Sequence, residues 1–163
     1  MDLTDALQLY RAYWIGSGAV WEHLPEVVIE RDSFFYFSNP GRVFGRNGAI
    51  VPKSDGQISV IGSGLNAESA VWAYERGIVQ GPCDLTVTAF AGDMDSVIDV
   101  LTKTPPSQRG MKTPGPGRER WYRRLSVLPS LIFENADIVS YVDELKTAEE
   151  KGIFQFEIRA SVA

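Results

Sequence analysis

The residue types that carry most protein chemistry are scarce in this chain and lie far apart in sequence. Its 163 residues include one histidine, His23, and one cysteine, Cys83. One cysteine excludes a disulfide framework and a zinc site built on several thiolates. Cys83 follows Gly81-Pro82 and has no adjacent cation that would make it a nucleophile. His23 has no nucleophile beside it in sequence for which it could act as a base. The sequence therefore predicts no catalytic residue and no cofactor, and favours a protein that is not an enzyme.

Three aspartates form the densest group of candidate metal ligands. Asp93, Asp95 and Asp99 lie at the start of a predicted helix that runs to Lys103. Carboxylates at this spacing suit a divalent cation. A helix start also favours such residues, as an N-cap and as negative charge beside the positive end of the helix dipole. We expect the capping role and no metal site.

The charge of the chain is unevenly distributed. The formal net charge is −5. Residues 108–124 hold six bases against one acid, Glu119, so this segment is +5 and the remainder is −10. Residues 134–150 hold six acids against Lys146. The asymmetry predicts a specific contact with an acidic protein surface, in the same chain or in a partner. The predicted partner-binding residues are Arg109, Arg118, Arg120, Trp121, Tyr122, Arg123 and Arg124.

The same basic segment raises the alternative of a nucleic-acid partner. Trp121 and Tyr122 stand among the arginines, where aromatic rings stack on bases in many nucleic-acid-binding proteins. The isoelectric point of about 4.9 opposes the positive footprint that such proteins need. We therefore expect a protein partner or self-association.

Hydrophobic periodicity predicts the elements that position these residues. Helices are predicted over residues 3–14, 67–76 and 93–103, and from 135 or 137 to 151. Strands are predicted over 27–29, 34–37, 57–61, 85–90, 120–128 and 154–162. Apolar and polar residues alternate in the last strand, which predicts a sheet with one wet face. We predict one α+β domain over residues 1–163, with a twisted mixed sheet and helices mainly on one face. A three-layer α/β sheet is the alternative. An irregular Pro/Gly/Arg loop is expected at 104–118.

A glycine-rich turn between a strand and a helix is the next candidate site. Residues 58–67 read ISVIGSGLNA, and the following helix ends at Gly77. This window resembles the fingerprint of Rossmann dinucleotide-binding proteins, which implies a phosphate-binding turn. The turn residues are Gly62, Ser63, Gly64 and Asn66. The next strand, residues 85–90, ends in Ala-Phe where the fingerprint has an acid for the ribose.

The same window is similar to that of proteasome-like N-terminal-nucleophile hydrolases, which carry an IGSG turn into a helix. That resemblance implies a threonine, serine or cysteine nucleophile at the mature N-terminus. This chain begins Met1-Asp2-Leu3 and enters a predicted helix. The start of the chain thus departs from the hydrolase pattern. The two resemblances of this window nevertheless give an alternative function, a small nucleotide-binding or N-terminal-nucleophile-like enzyme that uses the turn.

One further segment is unusual. Residues 43–51 read VFGRNGAIV. This segment resembles the VFGRTGAV sequence of bacteriophage tail-fibre and related virion proteins, with Asn47 in place of threonine and Ile50 in place of valine. The resemblance implies a virion component, and the size of the chain fits a tail, neck or connector protein.

Taken together, the sequence predicts a non-catalytic assembly or interaction protein. An acidic inhibitor or immunity protein, with Glu149 and Glu150 on its binding face, is a further alternative. Two acids precede the first base and no window reaches the roughly 18 apolar residues of a membrane span. We expect a soluble protein without membrane contact, cytoplasmic when made, and carried in the virion if it is a phage component.

Overall fold

The structure is a computed structural model that describes residues 1–16, 25–39, 46–62, 64–78, 81–103 and 117–161, apart from the side chains of residues 46 and 47. The chain divides into two compact units, Met1–Val71 and Trp72–Ala163. The helices are α1 (Leu3–Gly16), α2 (Ala67–Glu75), α3 (Met94–Thr102), α4 (Arg118–Leu125) and α5 (Val142–Glu150). The strands are β1 (Val28–Glu30), β2 (Phe34–Ser38), β3 (Arg46–Pro52), β4 (Ser59–Gly62), β5 (Cys83–Ala89), β6 (Ser130–Ala136) and β7 (Gln155–Ala160). Within these ranges no helix has the length and apolar character needed to cross a membrane.

The first unit packs α1 against an antiparallel sheet with the strand order β1-β2-β3-β4. Ala6, Tyr10 and Trp14 recur every four residues and therefore form one stripe along the helix. This stripe is buried together with Phe35 and Phe37 of β2. The predicted N-terminal helix is confirmed.

Strands β2 and β3 form an antiparallel hairpin in which Phe35 lies opposite Val51 and Phe37 opposite Ala49. The hairpin contains the described part of the segment that resembles tail-fibre proteins. Residues 46–51 lie in β3, and residues 43–45 are outside the described part of the chain.

The second unit is built around an antiparallel sheet with the strand order β6-β5-β7. Cys83, Leu85 and Val87 of β5 are buried and alternate with half-buried residues, so one face of this sheet is covered. Helices α3, α4 and α5 add further buried side chains to this unit, namely Val97, Ile98, Leu101, Trp121, Leu125, Val142 and Leu145.

The α+β class predicted from the sequence is confirmed. Every strand pairing in the described residues is antiparallel, so the strands form two antiparallel sheets where one mixed sheet was expected. The three-layer α/β alternative needs parallel pairs and is wrong. In β7 the polar residues are exposed, while Phe156 and Ile158 are half-buried, which confirms the wet face. The organisation as one domain over residues 1–163 stays a prediction.

The strand predicted at 120–128 is wrong, because Arg118–Leu125 is helix α4. Only two apolar residues of this helix are buried. The charged residues around them leave too few apolar positions for a helical period to be recognised in the sequence. The strand in this region is β6, whose Leu-Ile-Phe run after Pro129 is a strand signal that the sequence analysis missed. Most of the predicted loop at 104–118 lies outside the described residues, and its last residue, Arg118, begins α4.

Candidate interaction surface around helix α4

Helix α4 is short, basic and anchored by a narrow apolar stripe. Trp121 and Leu125 are its buried residues, one turn apart on the same side. The Trp121 indole meets the Phe133 ring edge-on, with centroids 6.1 Å apart and an interplanar angle of 87°. Because Trp121 is only 2% exposed, it is unable to stack on a base or on a partner. Its predicted place in the contact surface is therefore corrected: Trp121 is a core residue.

The first arginine of α4, Arg118, bonds this helix to α3, and we call these contacts the clamp. Arg118 donates from Nη2 to Asp95 Oδ1 at 2.5 Å, from Nε to the same oxygen at 3.1 Å, and from Nη1 to Asp99 Oδ1 at 2.8 Å. The Tyr122 hydroxyl also donates to Asp95 Oδ1. One guanidinium thus binds two carboxylates that lie four residues apart on α3.

The electrostatics of the clamp follow from these bonds. Hydrogen bonds from Tyr122 and then Arg118 lower the pKa of Asp95. The bond to Asp95 raises the pKa of the Tyr122 phenol. Asp93 accepts a hydrogen bond from the Asp95 backbone nitrogen at 3.0 Å and is the N-cap of α3. The capping prediction is confirmed for Asp93, and the other two aspartates bind Arg118.

Arg124 is also used inside the second unit. Between its paired residues Leu131 and Phe133, β6 carries one extra residue, Ile132. The carbonyl oxygen of Ile132 accepts a hydrogen bond from Arg124 Nη1 at 2.9 Å. Strand β6 is at the edge of its sheet. The bulge and the bond from Arg124 make this edge less able to pair with a strand of another chain.

Two arginines of α4 are left on its outer side. Arg123 Nη2 lies 3.8 Å from Glu119 Oε1, and these side chains are 81% and 92% exposed, which makes the pair weak. Arg120 is exposed and has no ion-pair partner among the residues that the structure describes. The described part of the basic segment, residues 117–124, therefore presents less free charge than its sequence suggests.

Three large apolar side chains are exposed after α4, two in the turn that follows the helix and one in β6. Val127 is 73% exposed, Leu128 36% and Leu131 44%. They follow Arg120 and Arg123 along the chain, and we call these five residues the α4 surface. Exposed apolar side chains and arginine are both enriched in protein interfaces. The sequence analysis missed the apolar part, because it assigned residues 120–128 to a strand.

The glycine-rich turn has a structural explanation. Asn66 Oδ1 accepts a hydrogen bond from the Ser69 backbone nitrogen at 2.9 Å, so Asn66 is the predicted N-cap of α2. A Cβ atom at Gly62 or Gly64 would meet no atom within 4 Å, so the backbone makes no close approach there. Ser63 is outside the described residues. Phosphate binding at this turn stays a prediction.

The remaining candidate residues are placed as follows. Cys83 is fully buried, its Sγ lies 3.2 Å from the Gly81 carbonyl oxygen, and burial raises the pKa of the thiol, all of which oppose reactivity. His23 and Arg109 are outside the described residues. Glu149 Oε2 accepts hydrogen bonds from Trp72 and Arg76, while the side chain stays 45% exposed, so the acidic-inhibitor alternative stays a prediction.

No protein-family model matches this chain, and comparisons with curated proteins and with solved structures find no match either. The function is therefore inferred from the chemistry of the α4 surface.

Proposed function

We propose that this protein is a non-catalytic assembly protein that binds another protein through the α4 surface. The observation that carries the proposal is the exposure of Val127, Leu128 and Leu131, which follow two exposed arginines along the chain. Contiguous exposed apolar patches often mark interaction sites, and we propose that these three side chains form one. Burying them against a partner is favourable, and the arginines add specificity at the rim.

The composition of the surface defines the chemistry of its partner. The centre offers aliphatic groups, so the partner must present an apolar patch of similar size. The rim offers Arg120 and Arg123, so carboxylates at the edge of that patch complete the contact. Charges at a solvent-exposed rim are screened by salt, so the association weakens as salt rises.

The contacts of α4 favour a protein partner over a nucleic acid. A nucleic-acid partner needs several basic residues free to neutralise phosphates. Arg118 is paired with two aspartates, and Arg124 is bound to a backbone carbonyl. Trp121 is buried, so it is unable to stack on bases. Within α4 this leaves Arg120 and the weakly paired Arg123, which provide a weak phosphate footprint on an acidic chain.

We also propose that the assembly is a bacteriophage particle, in which this chain is a tail, neck or connector component. The support is the resemblance of residues 43–51 to tail-fibre proteins. Mass spectrometry of purified particles tests this part of the proposal. The protein is expected in the particle at a fixed number of copies, and its absence from particles would contradict the virion assignment alone.

The interaction proposal is tested by measuring the mass of the full chain with light scattering, alone and co-expressed with the products of adjacent genes. We expect a mass above that of the monomer in at least one case. The double variant Val127→Ser with Leu131→Ser should raise the concentration needed for association by about tenfold or more, because it removes buried apolar area from the contact.

Ile15→Ser is the matched control, since Ile15 is 68% exposed on α1 and is not part of the α4 surface. This variant should associate as the unmodified protein does. Circular dichroism verifies that all variants are folded. A strict monomer under every condition, or association that the double variant leaves unchanged, would overturn the proposal.

A further inference from the structure

We infer that strand β7 pairs with β7 of a second copy of this chain, so that two copies form a symmetric dimer through one continuous sheet. This contact is separate from the α4 surface. Strand β7 is the last strand of the sheet β6-β5-β7, and no further strand lies beyond it in the described part of the chain. An edge strand of six residues presents a row of backbone donors and acceptors that another strand can bind.

The pairing with β5 shows which backbone groups of β7 point outward. The Ser161 backbone nitrogen donates to the Pro82 carbonyl oxygen at 3.0 Å, so the backbone groups of Ser161 point at β5. Backbone groups alternate between the two sides of a strand, so those of Glu157 and Arg159 also point at β5. The residues of β7 whose N–H and C=O groups point away from the sheet are Phe156, Ile158 and Ala160.

The two edges of this sheet differ in their ability to pair. Strand β6 carries the bulge and the bond from Arg124 that make it less able to bind another strand. Where β5 pairs with β7, the extra residue lies in β5, between Val87 and Ala89, so β7 itself is regular. Strand β7 is therefore the edge at which the sheet can be extended.

The charged residues of β7 select the strand that can bind there. Arg159 Nη2 lies 2.9 Å from Glu157 Oε2, and these side chains are 79% and 55% exposed, so the pair is weak in solvent. Charged residues on an edge oppose pairing with most strands. An antiparallel second copy of β7, with Ile158 opposite Ile158, places Glu157 of each copy opposite Arg159 of the other. Opposite charges directly across two strands stabilise their pairing.

One symmetric register of two β7 strands gives this match. Registers centred on Glu157 or on Arg159 place like charges opposite each other, which destabilises pairing. Registers centred on Phe156 or on Ala160 leave a charge opposite a neutral residue and align fewer outward backbone groups. The register centred on Ile158 places every charge opposite its counterpart and aligns all three outward residues, which gives about six backbone hydrogen bonds.

The apolar side of β7 fits the same register. Phe156 and Ile158 are half-buried within one chain and lie opposite the buried Val87 and Leu85 of β5, on the covered face of the sheet. In the dimer Ile158 lies opposite Ile158 of the second copy, and Phe156 lies opposite Ala160. The second copy therefore removes further apolar area of these residues from water. The same patch is used on both copies, as a two-fold axis requires.

The first test measures the mass of the full chain against concentration by light scattering. We expect a dimer, with twice the 18.1 kDa of the chain. Glu157→Arg and Arg159→Glu each place like charges opposite each other at both ends of the contact, so each should raise the dissociation constant of the dimer by about tenfold or more. Mixing the two variants restores opposite charges in a heterodimer, which should form as readily as the unmodified dimer.

Glu26→Arg and Arg11→Glu are the controls for net charge, because both residues are exposed and lie outside β7. Both controls should dimerise as the unmodified protein does, and circular dichroism verifies that all variants are folded. The variant Val127→Ser with Leu131→Ser should also keep the dimer, so association through the α4 surface is counted from the dimer upward. Charge reversals in β7 that leave the dimer unchanged, or a mixture of the two that stays monomeric, would overturn the inference.

Hydrogen exchange measured by NMR then locates the contact. The outward amides of Phe156, Ile158 and Ala160 should exchange slowly in the dimer and rapidly in the monomeric Glu157→Arg variant. The Arg159 amide bonds to β5 and should be protected in both. A dimer whose outward amides stay unprotected would overturn the inference. So would a chain that is monomeric at the concentrations NMR requires, or that protects these amides only with the product of an adjacent gene, and these results would leave the proposed function intact.

Discussion

The ring of Tyr36 occupies the space that a side chain on Gly48 would need. A Cβ atom placed on Gly48 would lie 2.7 Å from Tyr36 Oη and 2.9 Å from Tyr36 Cζ. It would also lie 2.5 Å from the Phe37 carbonyl oxygen, which is backbone and has little freedom to move. The hairpin of β2 and β3 therefore requires glycine at this position. The glycine in the segment that resembles tail-fibre proteins thus has a packing role in this fold.

The first prediction concerns this glycine. Gly48→Ala should lower the free energy of unfolding by about 1–3 kcal/mol, since the added methyl group overpacks a buried position. Denaturant titration followed by circular dichroism measures the change. Gly62→Ala is the matched control in the adjacent strand β4, because a Cβ there meets nothing within 4 Å. Equal effects of the two substitutions would contradict the role assigned to Tyr36.

The clamp between α3 and α4 gives the second prediction. Arg118→Gln removes the charge that Asp95 and Asp99 share, so it should lower the melting temperature. The loss should be larger in dilute buffer than in 1 M salt, where the Debye length falls to about 3 Å. Arg120→Gln, two residues away on the outer side of α4, should change the melting temperature little. A salt-independent loss for Arg118→Gln would show that the clamp does not act through charge.

The third prediction concerns the pH dependence of stability at Glu149. Its Oε2 accepts hydrogen bonds from Trp72 Nε1 at 2.8 Å and from Arg76 Nη2 at 2.6 Å. Burial alone would raise the pKa of this carboxyl, but the bonds from Arg76 and Trp72 and the charge of Arg76 outweigh burial and lower the pKa. A carboxyl whose pKa is lowered by folding stabilises the fold above its unfolded pKa, and this contribution is lost as the pH falls through the folded pKa.

The unmodified protein and the variant Glu149→Gln should therefore differ most in melting temperature near about pH 7 and converge below the ordinary glutamate pKa of about 4.3. Glu150→Gln provides the control, because Glu150 is exposed and its nearest cation, Lys146 Nζ, is 3.8 Å away. A difference between Glu149→Gln and the unmodified protein that stays constant across this range would exclude a role for the charge.

The elements with a clear hydrophobic period were predictable from the sequence. Helix α1 and strand β7 present their apolar residues at regular spacing, and the structure agrees with both predictions. Helix α4 was not predictable in this way, because only two of its eight residues are buried. One pair of apolar residues is too few to establish a helical period. The division into two sheets depends on which strands pair, and pairing between distant strands leaves no local signal.

Only part of the candidate site could be predicted from the sequence. The charge asymmetry located the region, and Arg120 and Arg123 remain on its surface. The sequence predicted that Arg118 would meet an acidic surface but not which one, because only the packed unit brings Asp95 and Asp99 of α3 to this arginine. Sequence shows where charges lie along the chain, and packing decides which of them stay free.

The last prediction separates a core role from a contact role for Trp121. Trp121→Ala should lower the free energy of unfolding by about 3–5 kcal/mol, as expected for a large aromatic side chain removed from a core. Trp121→Phe should cost less, because the ring contact with Phe133 is retained and the lost indole N–H has no acceptor among the described residues. Denaturant titration gives both values, and light scattering on the folded Trp121→Phe protein should show unchanged association. If Trp121→Ala weakened association while leaving stability within about 0.5 kcal/mol, Trp121 would belong to the contact surface after all.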